Sequence, residues 1–99
     1  MAHFEHPEVG VSFDLPDDPS VFEIIRYDST RLEHGDEPAI IVLWECVKAI
    51  IQNWQCEAMP NHLLPLDKVK SVKAAQAVEF AAFRGSEWRV GLDTIPKNS

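Results

Sequence analysis

The hydrophobic spacing of residues 38–57 is the strongest structural signal in this sequence. Along this stretch the apolar residues recur at steps of three and four, which places them on one face of an α-helix. The residues on that face are Ile40, Leu43, Trp44, Val47, Ile50, Ile51 and Trp54. Because Pro60 and Pro65 follow and cannot continue a helix, we expect the helix to end near residue 57. The pattern predicts a central helix that carries two tryptophans on its apolar face.

The residues before this helix follow other patterns. Between Val9 and Leu15, apolar residues alternate with small or polar ones, and this period of two predicts a short strand with one buried face. Residues 1–8, which precede the strand, are predicted to form a loose arm. Asp18 followed by Pro19 is typical of a helix start, so we expect a helix over residues 19–32. The rival interpretation makes the Val-, Ile- and Phe-rich part of this segment a second strand.

The last third of the chain predicts another helix. Asp67 is expected to open it, and the alanines of residues 74–82 give the segment a high helix propensity. Beyond Gly85 there are two interpretations. A seven-residue apolar spacing that reaches Ile95 favours continuation of the helix, whereas alternating apolar residues predict a strand over residues 86–92.

Together these elements predict a mainly α fold, with three helices organised around the central Trp-bearing helix and a short N-terminal β-strand. The alternative is an α+β fold with a C-terminal strand over residues 86–92. The sequence contains no internal repeat and no linker long enough to divide it. Residues 1–99 are therefore predicted to form a single domain.

The charge of the chain limits its partners. Acidic residues outnumber basic ones, give a net charge of −7, and are concentrated in residues 1–59. Because this charge repels phosphate, we expect no binding to nucleic acid. The longest apolar run, residues 39–44, is too short to span a bilayer, and no signal peptide is visible, so we expect a cytoplasmic protein without membrane association. Cys46 and Cys56 would lie about 15 Å apart on one helix, which predicts free, buried thiols rather than a disulfide.

No motif in the sequence indicates catalysis. The four glycines are isolated, so there is no phosphate-binding loop, and neither Gly-x-Ser-x-Gly nor His-Glu-x-x-His occurs. His3, Glu5 and His6 lie close together in sequence, but they are expected to be exposed near the terminus rather than to bind a metal. We therefore predict a protein that is not an enzyme and that has no cofactor and no metal site.

Large apolar side chains form the candidate interaction surface. Its predicted residues are Trp44, Val47, Ile51, Trp54, Phe80, Phe83 and Trp88. Since tryptophan is frequent among interface hot spots, an exposed group of this kind would indicate a protein–protein interaction or assembly module that forms a homo-oligomer, binds another protein, or does both. Alternatively, these side chains fill the core, or they line a small-molecule pocket with Glu45, Glu79 or Arg84 as its polar groups.

Four short features of the sequence form a further pattern. They are Leu15-Pro16-Asp17-Asp18-Pro19-Ser20, the spacing of Trp44, Ile51 and Trp54, the Met59-Pro60 break, and the ending Leu92-x-x-Ile95-Pro96-Lys97-Asn98. This pattern resembles small tail-assembly chaperones of long-tailed bacteriophages. The resemblance implies a mostly helical protein without catalytic residues that coats another protein, the tape measure of the tail, during assembly. It implies no individual site residue. The competing interpretation is an orphan protein of a mobile element that binds a small molecule.

Overall fold

The computed structural model describes residues 1–93, which form a three-stranded antiparallel sheet and three α-helices. In chain order the elements are β1 (Ala2–His6), β2 (Val11–Leu15), α1 (Val21–Glu33), α2 (Ala39–Lys48), β3 (Gln52–Cys56), a short 3₁₀ turn (Leu66–Lys68) and α3 (Val72–Asp93). The fold is therefore α+β. The prediction of a mainly α fold with one short strand, built around a single long central helix, is wrong.

The N-terminal residues belong to the sheet. β1 pairs antiparallel with β2 from Ala2 opposite Leu15 to His6 opposite Val11, so the prediction of a loose arm over residues 1–8 is wrong. The turn between the strands places Gly10 at φ +79°, a left-handed conformation that glycine adopts without steric cost. Pairing with β1 satisfies backbone groups of β2 that would otherwise remain unpaired. The predicted strand is confirmed from Val11 to Leu15, and Val9 lies in the turn before it. Its alternate residues Val11, Phe13 and Leu15 are buried.

The second half of the predicted central helix is the strand β3. α2 ends at Lys48, and the N–H groups of Ile50 and Ile51 donate to the carbonyl of Val47 as the chain leaves the helix. β3 then pairs antiparallel with the free edge of β2, with Cys56 opposite Val11. The sheet order is β1-β2-β3, so β2 is central and is paired on both sides. The helical spacing failed here because the open edge of β2 supplies hydrogen-bond partners to any segment that reaches it.

The start of α1 is fixed by a capping box. The hydroxyl of Ser20 accepts a hydrogen bond from the N–H of Glu23 at 3.1 Å, and the Glu23 carboxylate accepts one from the N–H of Ser20 at 3.0 Å. Each group satisfies a donor that the first helical turn leaves free. The predicted helix is confirmed and the rival strand is wrong, but the cap is Ser20 rather than Asp18.

α3 runs unbroken past Gly85 to Asp93, so the helical interpretation of residues 86–92 is confirmed and the strand is wrong. The hydroxyl of Ser71 accepts from the N–H of Ala74, and the predicted start at Asp67 falls in the 3₁₀ turn instead. The continuation of the apolar spacing to Ile95 lies outside the described residues. Within residues 1–93, no helix is both long enough and apolar enough to cross a membrane.

The core forms where α3 meets α2 and the inner face of the sheet. The buried face of α3 is built of small residues, which lets neighbouring elements approach closely: Ala74, Ala77, Ala81, Ala82 and Gly85. Val47 of α2 packs against Gly85. On the sheet side, the ring of Phe13 stands edge-on to that of Phe80 with centroids 6.0 Å apart. The indole N–H of Trp88 donates to the carbonyl of Pro16 at 2.8 Å, which ties α3 to the end of β2.

We expect Gly85→Ala to destabilise the fold. A Cβ at this position would lie 2.7 Å from the Cβ of Val47, closer than such atoms can approach, so α2 or α3 must shift. Overpacking of this kind costs about 1–3 kcal/mol and outweighs the gain of about 1 kcal/mol in helix propensity. The measurement is the free energy of unfolding in urea.

Gly91→Ala is the matched control, because a Cβ at Gly91 of the same helix meets no described atom within 4 Å. This variant should gain about 0.5–1 kcal/mol from helix propensity alone. If both variants changed stability in the same direction and by the same amount, the close approach of α2 and α3 at Gly85 would be refuted.

Candidate functional site

The structure does not bring the predicted interaction residues together on one surface. Four of the seven lie in the core at exposures of 9% or less, and they are Trp44, Val47, Ile51 and Trp88. Trp54 and Phe80 are half-buried and pack against that core. Phe83 is 51% exposed and is the most accessible of the seven. The prediction is thereby corrected, because β3 turns Trp54 inwards, where its ring lies 5.7 Å from that of Trp44.

Exposed apolar side chains are instead concentrated on the outer face of α1. Val21, Phe22, Ile25 and Leu32 are 72%, 69%, 57% and 83% exposed, and we call this group the α1 outer stripe. Their spacing places them on one side of the helix, along most of its length. The sequence predicted the helix that carries these residues. It could not show that the structure leaves them uncovered.

α1 is held against the body by its opposite face. Tyr27, on that face, is 1% exposed and its ring centroid lies 6.1 Å from that of Trp88. Beside it, the guanidinium of Arg89 donates two hydrogen bonds to the carboxylate of Asp28, at 3.0 and 2.9 Å. Two parallel bonds fix orientation as well as distance. α1 packs chiefly against α2, and the pair of Asp28 and Arg89 ties it to α3 as well. The α1 outer stripe is therefore a preformed surface on a helix whose rotation is fixed by the body of the fold.

The ion pair between α1 and α3 changes the acidity of its members. The hydrogen bonds from Arg89, and secondarily its charge, lower the pKa of Asp28 despite the opposing effect of burial. The same contact, together with a hydrogen bond to Asp93, raises the pKa of Arg89. Both groups are therefore charged across the physiological pH range.

Charged residues border the α1 outer stripe. Arg26 and Glu33 lie along one edge of it, seven residues apart, and both are exposed. Among residues 1–93 neither side chain forms an ion pair, whereas Asp28 on the other edge is bound to Arg89. The surface thus has an apolar centre and, along one edge, two opposite charges that form no ion pair among residues 1–93. Protein interfaces commonly have an apolar core and a polar rim of this kind.

Grooves beside α3 bring together part of the predicted ligand-binding residues. An apolar groove of about 200 Å³ lies between α2 and α3, lined by Ile40, Ile41, Leu66, Val69, Ser71, Ala74, Ala75, Val78 and Glu79. A larger groove of about 540 Å³ lies between the β1–β2 turn and α3, lined by His6, Glu8, Val9, Gln76, Glu79, Phe80, Phe83 and Arg84. Glu79 and Arg84 share this second groove, but Glu45 is paired with Lys48 on α2. The groove is open to solvent, since Glu8, Gln76, Glu79 and Phe83 in its lining are exposed, so small-molecule binding stays a prediction.

The polar groups of the sheet connect its three strands. The Asp14 carboxylate of β2 accepts a hydrogen bond from the side-chain amide of Asn53 at 2.7 Å and lies 2.6 Å from the imidazole Nδ1 of His3. These contacts, that of Asn53 first, lower the pKa of Asp14. His6 points to the other face of β1, where its ring contacts Phe80, so it does not join His3 in one site. Among the described residues, no group of three or more potential ligands could hold a metal ion.

Two buried groups near α1, Cys46 and Tyr27, are kept neutral at pH 7. Cys46 and Cys56 are free and buried, as the sequence predicted. Burial raises the pKa of Cys46 to about 11, so its thiol is protonated at neutral pH and is a poor nucleophile. Burial, with the nearby Cys46 as a smaller cause, raises the pKa of Tyr27 to about 12. Such groups contribute to packing rather than to proton transfer at neutral pH.

Comparison of the chain with family models, with curated proteins and with solved structures finds no match.

The ion pair of Asp28 predicts a pH-dependent contribution to stability. Because the pKa of Asp28 is lowered on folding, the contribution is present above the unfolded pKa of about 4 and is lost as the pH falls through the folded pKa. Asp28 is 47% exposed, so solvent screening keeps the contribution to about 1 kcal/mol or less. Asp28→Asn should therefore lower the free energy of unfolding at pH 7, and its deficit relative to wild type should shrink as the pH falls below about 4. Asp36→Asn is the control, since exposed Asp36 forms no ion pair among residues 1–93. A deficit of Asp28→Asn that stayed constant as the pH fell below about 4 would rule out the charge of Asp28 as its source.

Tyr27 predicts an unusual response to loss of a hydroxyl group. Its Oη is buried without a hydrogen-bond partner among the described residues, and an unpaired buried hydroxyl is destabilising. Tyr27→Phe keeps the ring against Trp88 and should raise the free energy of unfolding by up to about 1 kcal/mol. Tyr27→Leu, which removes the ring contact, should lower it by about 2 kcal/mol or more. Equal losses in both variants would show that the hydroxyl is satisfied.

Proposed function

We propose that this chain is a non-enzymatic protein–protein interaction and assembly module that acts in the cytoplasm, with a chaperone-like role in the assembly of a phage tail. The observation that carries the proposal is the α1 outer stripe. It is an apolar surface on a well-anchored helix, in a fold whose other large side chains are mostly used by the core.

The size of the α1 outer stripe supports binding. From their exposed fractions, its four side chains present on the order of 400–500 Å² to solvent, which is within the range of the largest patches on monomeric proteins, and such patches are often functional. Other exposed apolar residues lie on separate elements, such as Leu63 in a loop and Val72 at the start of α3. Contact with a partner removes such a surface from water at little conformational cost, because the helix is already formed.

The environment of the reactive side chains favours binding over catalysis. The thiol of Cys46 is buried and protonated, and Arg84 is occupied by Glu87 and by the face of Phe80. An enzyme needs a polar group that is both accessible and poised to react. Free, buried thiols also suit a reducing compartment such as the cytoplasm.

The resemblance to tail-assembly chaperones supplies the proposed context. The segment from Leu15 to Ser20, one of the features that carry it, leads directly into α1 and ends with the residue that caps this helix. A chaperone of this kind acts by covering apolar surface of another protein. An uncovered apolar face on α1 has the chemistry for that task.

Site-specific photocrosslinking tests the proposal. The photoreactive amino acid benzoylphenylalanine is placed at Phe22 in the host cell, and at Val72 as the control, because Val72 is 77% exposed but lies at the far end of α3 from the Arg89 that holds α1. The partner found by mass spectrometry is then purified, and its affinity is measured by calorimetry.

We expect a crosslinked product of defined mass from position 22 and none from position 72. The triple variant Phe22→Ser/Ile25→Ser/Leu32→Ser should bind the purified partner at least about tenfold more weakly than wild type, while Val72→Ser binds equally well. Identical crosslinking from both positions, or undiminished affinity of the triple variant, would refute the proposed use of α1.

A further inference from the structure

We propose that the α1 outer stripe binds the same stripe of a second copy of this chain, with the two α1 helices antiparallel. The inference rests on the proposed function and names a partner for its surface. It depends on three features of α1, which are the spacing of the stripe, the charges along its edges and its area.

The spacing of the stripe fits another helix. Three residues of the stripe, together with the exposed Ser29 between them, follow one another at steps of three, four and three. These four residues are Phe22, Ile25, Ser29 and Leu32, and we call them the seam, because this is the a/d spacing of two packed helices. Val21 lies beside the seam. Tyr27, in the middle of this run, is buried on the opposite side of the helix, so the seam points away from the chain's own body. A surface with this period is complementary to a second helix that carries the same period.

The edge charges favour an antiparallel arrangement. In an antiparallel pair each edge of a helix lies beside the same edge of its copy, so the edge with Arg26 and Glu33 meets itself. Side chains lean towards the N-terminus of their own helix, and Arg26 therefore leans towards Glu33 of the second copy. The edge with Asp28 also meets itself in the antiparallel pair, but each Asp28 there is already bound to Arg89 of its own chain. A parallel pair would instead place Asp28 of one helix beside Glu33 of the other, and Glu33 has no ion partner among residues 1–93 to offset its charge. The antiparallel pair thus brings together Arg26 and Glu33, two border charges that form no ion pair among residues 1–93.

The packing along the seam is also complementary. When the midpoints of two antiparallel α1 helices coincide, Phe22 lies opposite Leu32 of the second copy and Ile25 lies opposite Ser29. Ser29, the smallest side chain of the seam, gives room to Ile25 at the two central layers. The contact is related by a two-fold axis, so both copies use the same residues and the assembly closes at two.

The area predicts a weak, reversible dimer. A helix of 13 residues is about 20 Å long, and burial of the stripe with its borders on both copies removes roughly 800–1,000 Å² from water. Interfaces of this size lie below the standard size of stable complexes. We therefore expect dissociation on dilution into the micromolar range rather than a permanent dimer.

Sedimentation velocity of the full chain between about 1 and 500 μM tests the inference. Wild type should shift from monomer at the low end to dimer at the high end. Ile25→Glu places a charge at a central layer and should weaken dimerisation by roughly thirtyfold or more. Val72→Glu adds the same charge on an exposed valine outside the seam and should leave the dimer unchanged. A wild type that stays monomeric at 500 μM, or equal behaviour of the two variants, would overturn the inference.

Charge reversal tests the orientation without touching the apolar seam. Arg26→Glu should weaken the dimer roughly fivefold to thirtyfold, because two attractive pairs become repulsive, and Glu33→Arg should do the same. The double variant Arg26→Glu/Glu33→Arg should recover the wild-type dissociation constant to within about threefold. Both side chains are exposed, so these variants should fold even if Ile25→Glu does not. A dissociation constant of Arg26→Glu equal to that of wild type would exclude the antiparallel pair.

The two proposals fail in different ways. A chain that is monomeric in sedimentation but crosslinks from position 22 to a different protein retains the proposed function and loses the self-association. A chain that dimerises as described and yields only its own copy in crosslinking supports self-association as the use of α1. Monomeric behaviour together with no defined crosslink would refute both.

Discussion

The fold depends on the hydrogen-bonding requirement of β2. Its five residues are buried on one face and present backbone donors and acceptors on both edges, and water cannot satisfy those groups inside a core. Residues 2–6, which follow no strong sequence pattern, pair with one edge of β2. Residues 52–56, which end the segment with helical apolar spacing, pair with the other edge. Once β3 is in place, α2 must end at Lys48, and Trp54 is brought against Trp44 from the sheet rather than from the helix. Long-range pairing thus determined the length of α2 and the position of an aromatic residue.

The sequence predicted those elements whose signals are local. The alternation of Val11, Phe13 and Leu15 correctly indicated β2, and the alanine-rich segment correctly indicated α3, because each signal lies within the element itself. β1 and β3 were missed because both form strands by pairing with β2. No pattern within their own residues indicates that pairing. Helix starts were displaced by a few residues wherever a serine hydroxyl, at Ser20 or Ser71, was available as the cap in place of an aspartate further upstream. Gly85, beyond which the sequence left helix and strand both open, lies inside α3, where it gives room to Val47 of α2.

The candidate surface was the least predictable feature, and the reason is general. The sequence shows which residues are apolar, but only the packing of the fold shows which of them are buried. Trp44 and Trp88 are of the residue type that is frequent at interface hot spots, but both are buried in the core. Phe22 and Leu32 are exposed, because α1 contacts the body through the face that carries Tyr27. Helical angles alone separate these two faces of α1. What they cannot supply is which of the two faces the body covers, and the structure shows that α2 covers the face of Tyr27 while Arg89 of α3 holds Asp28 beside it.

The irregular pairing of β3 has a consequence for how the molecule behaves at high concentration. Both outer strands of a three-stranded sheet offer backbone groups to a neighbour, and sheets that join through such edges grow without limit into fibres. In this chain Ser12 pairs with Gln55 and Asp14 with Gln52, so the register of β3 shifts between these two pairs. Asn53, within the shift, adopts a left-handed φ of 56°, so the free edge of β3 is not a regular template. β1 is only five residues long and carries exposed His3 and Glu5. With its sheet edges blunted in this way, the chain exposes an apolar helix without offering a regular strand edge along which fibres could grow.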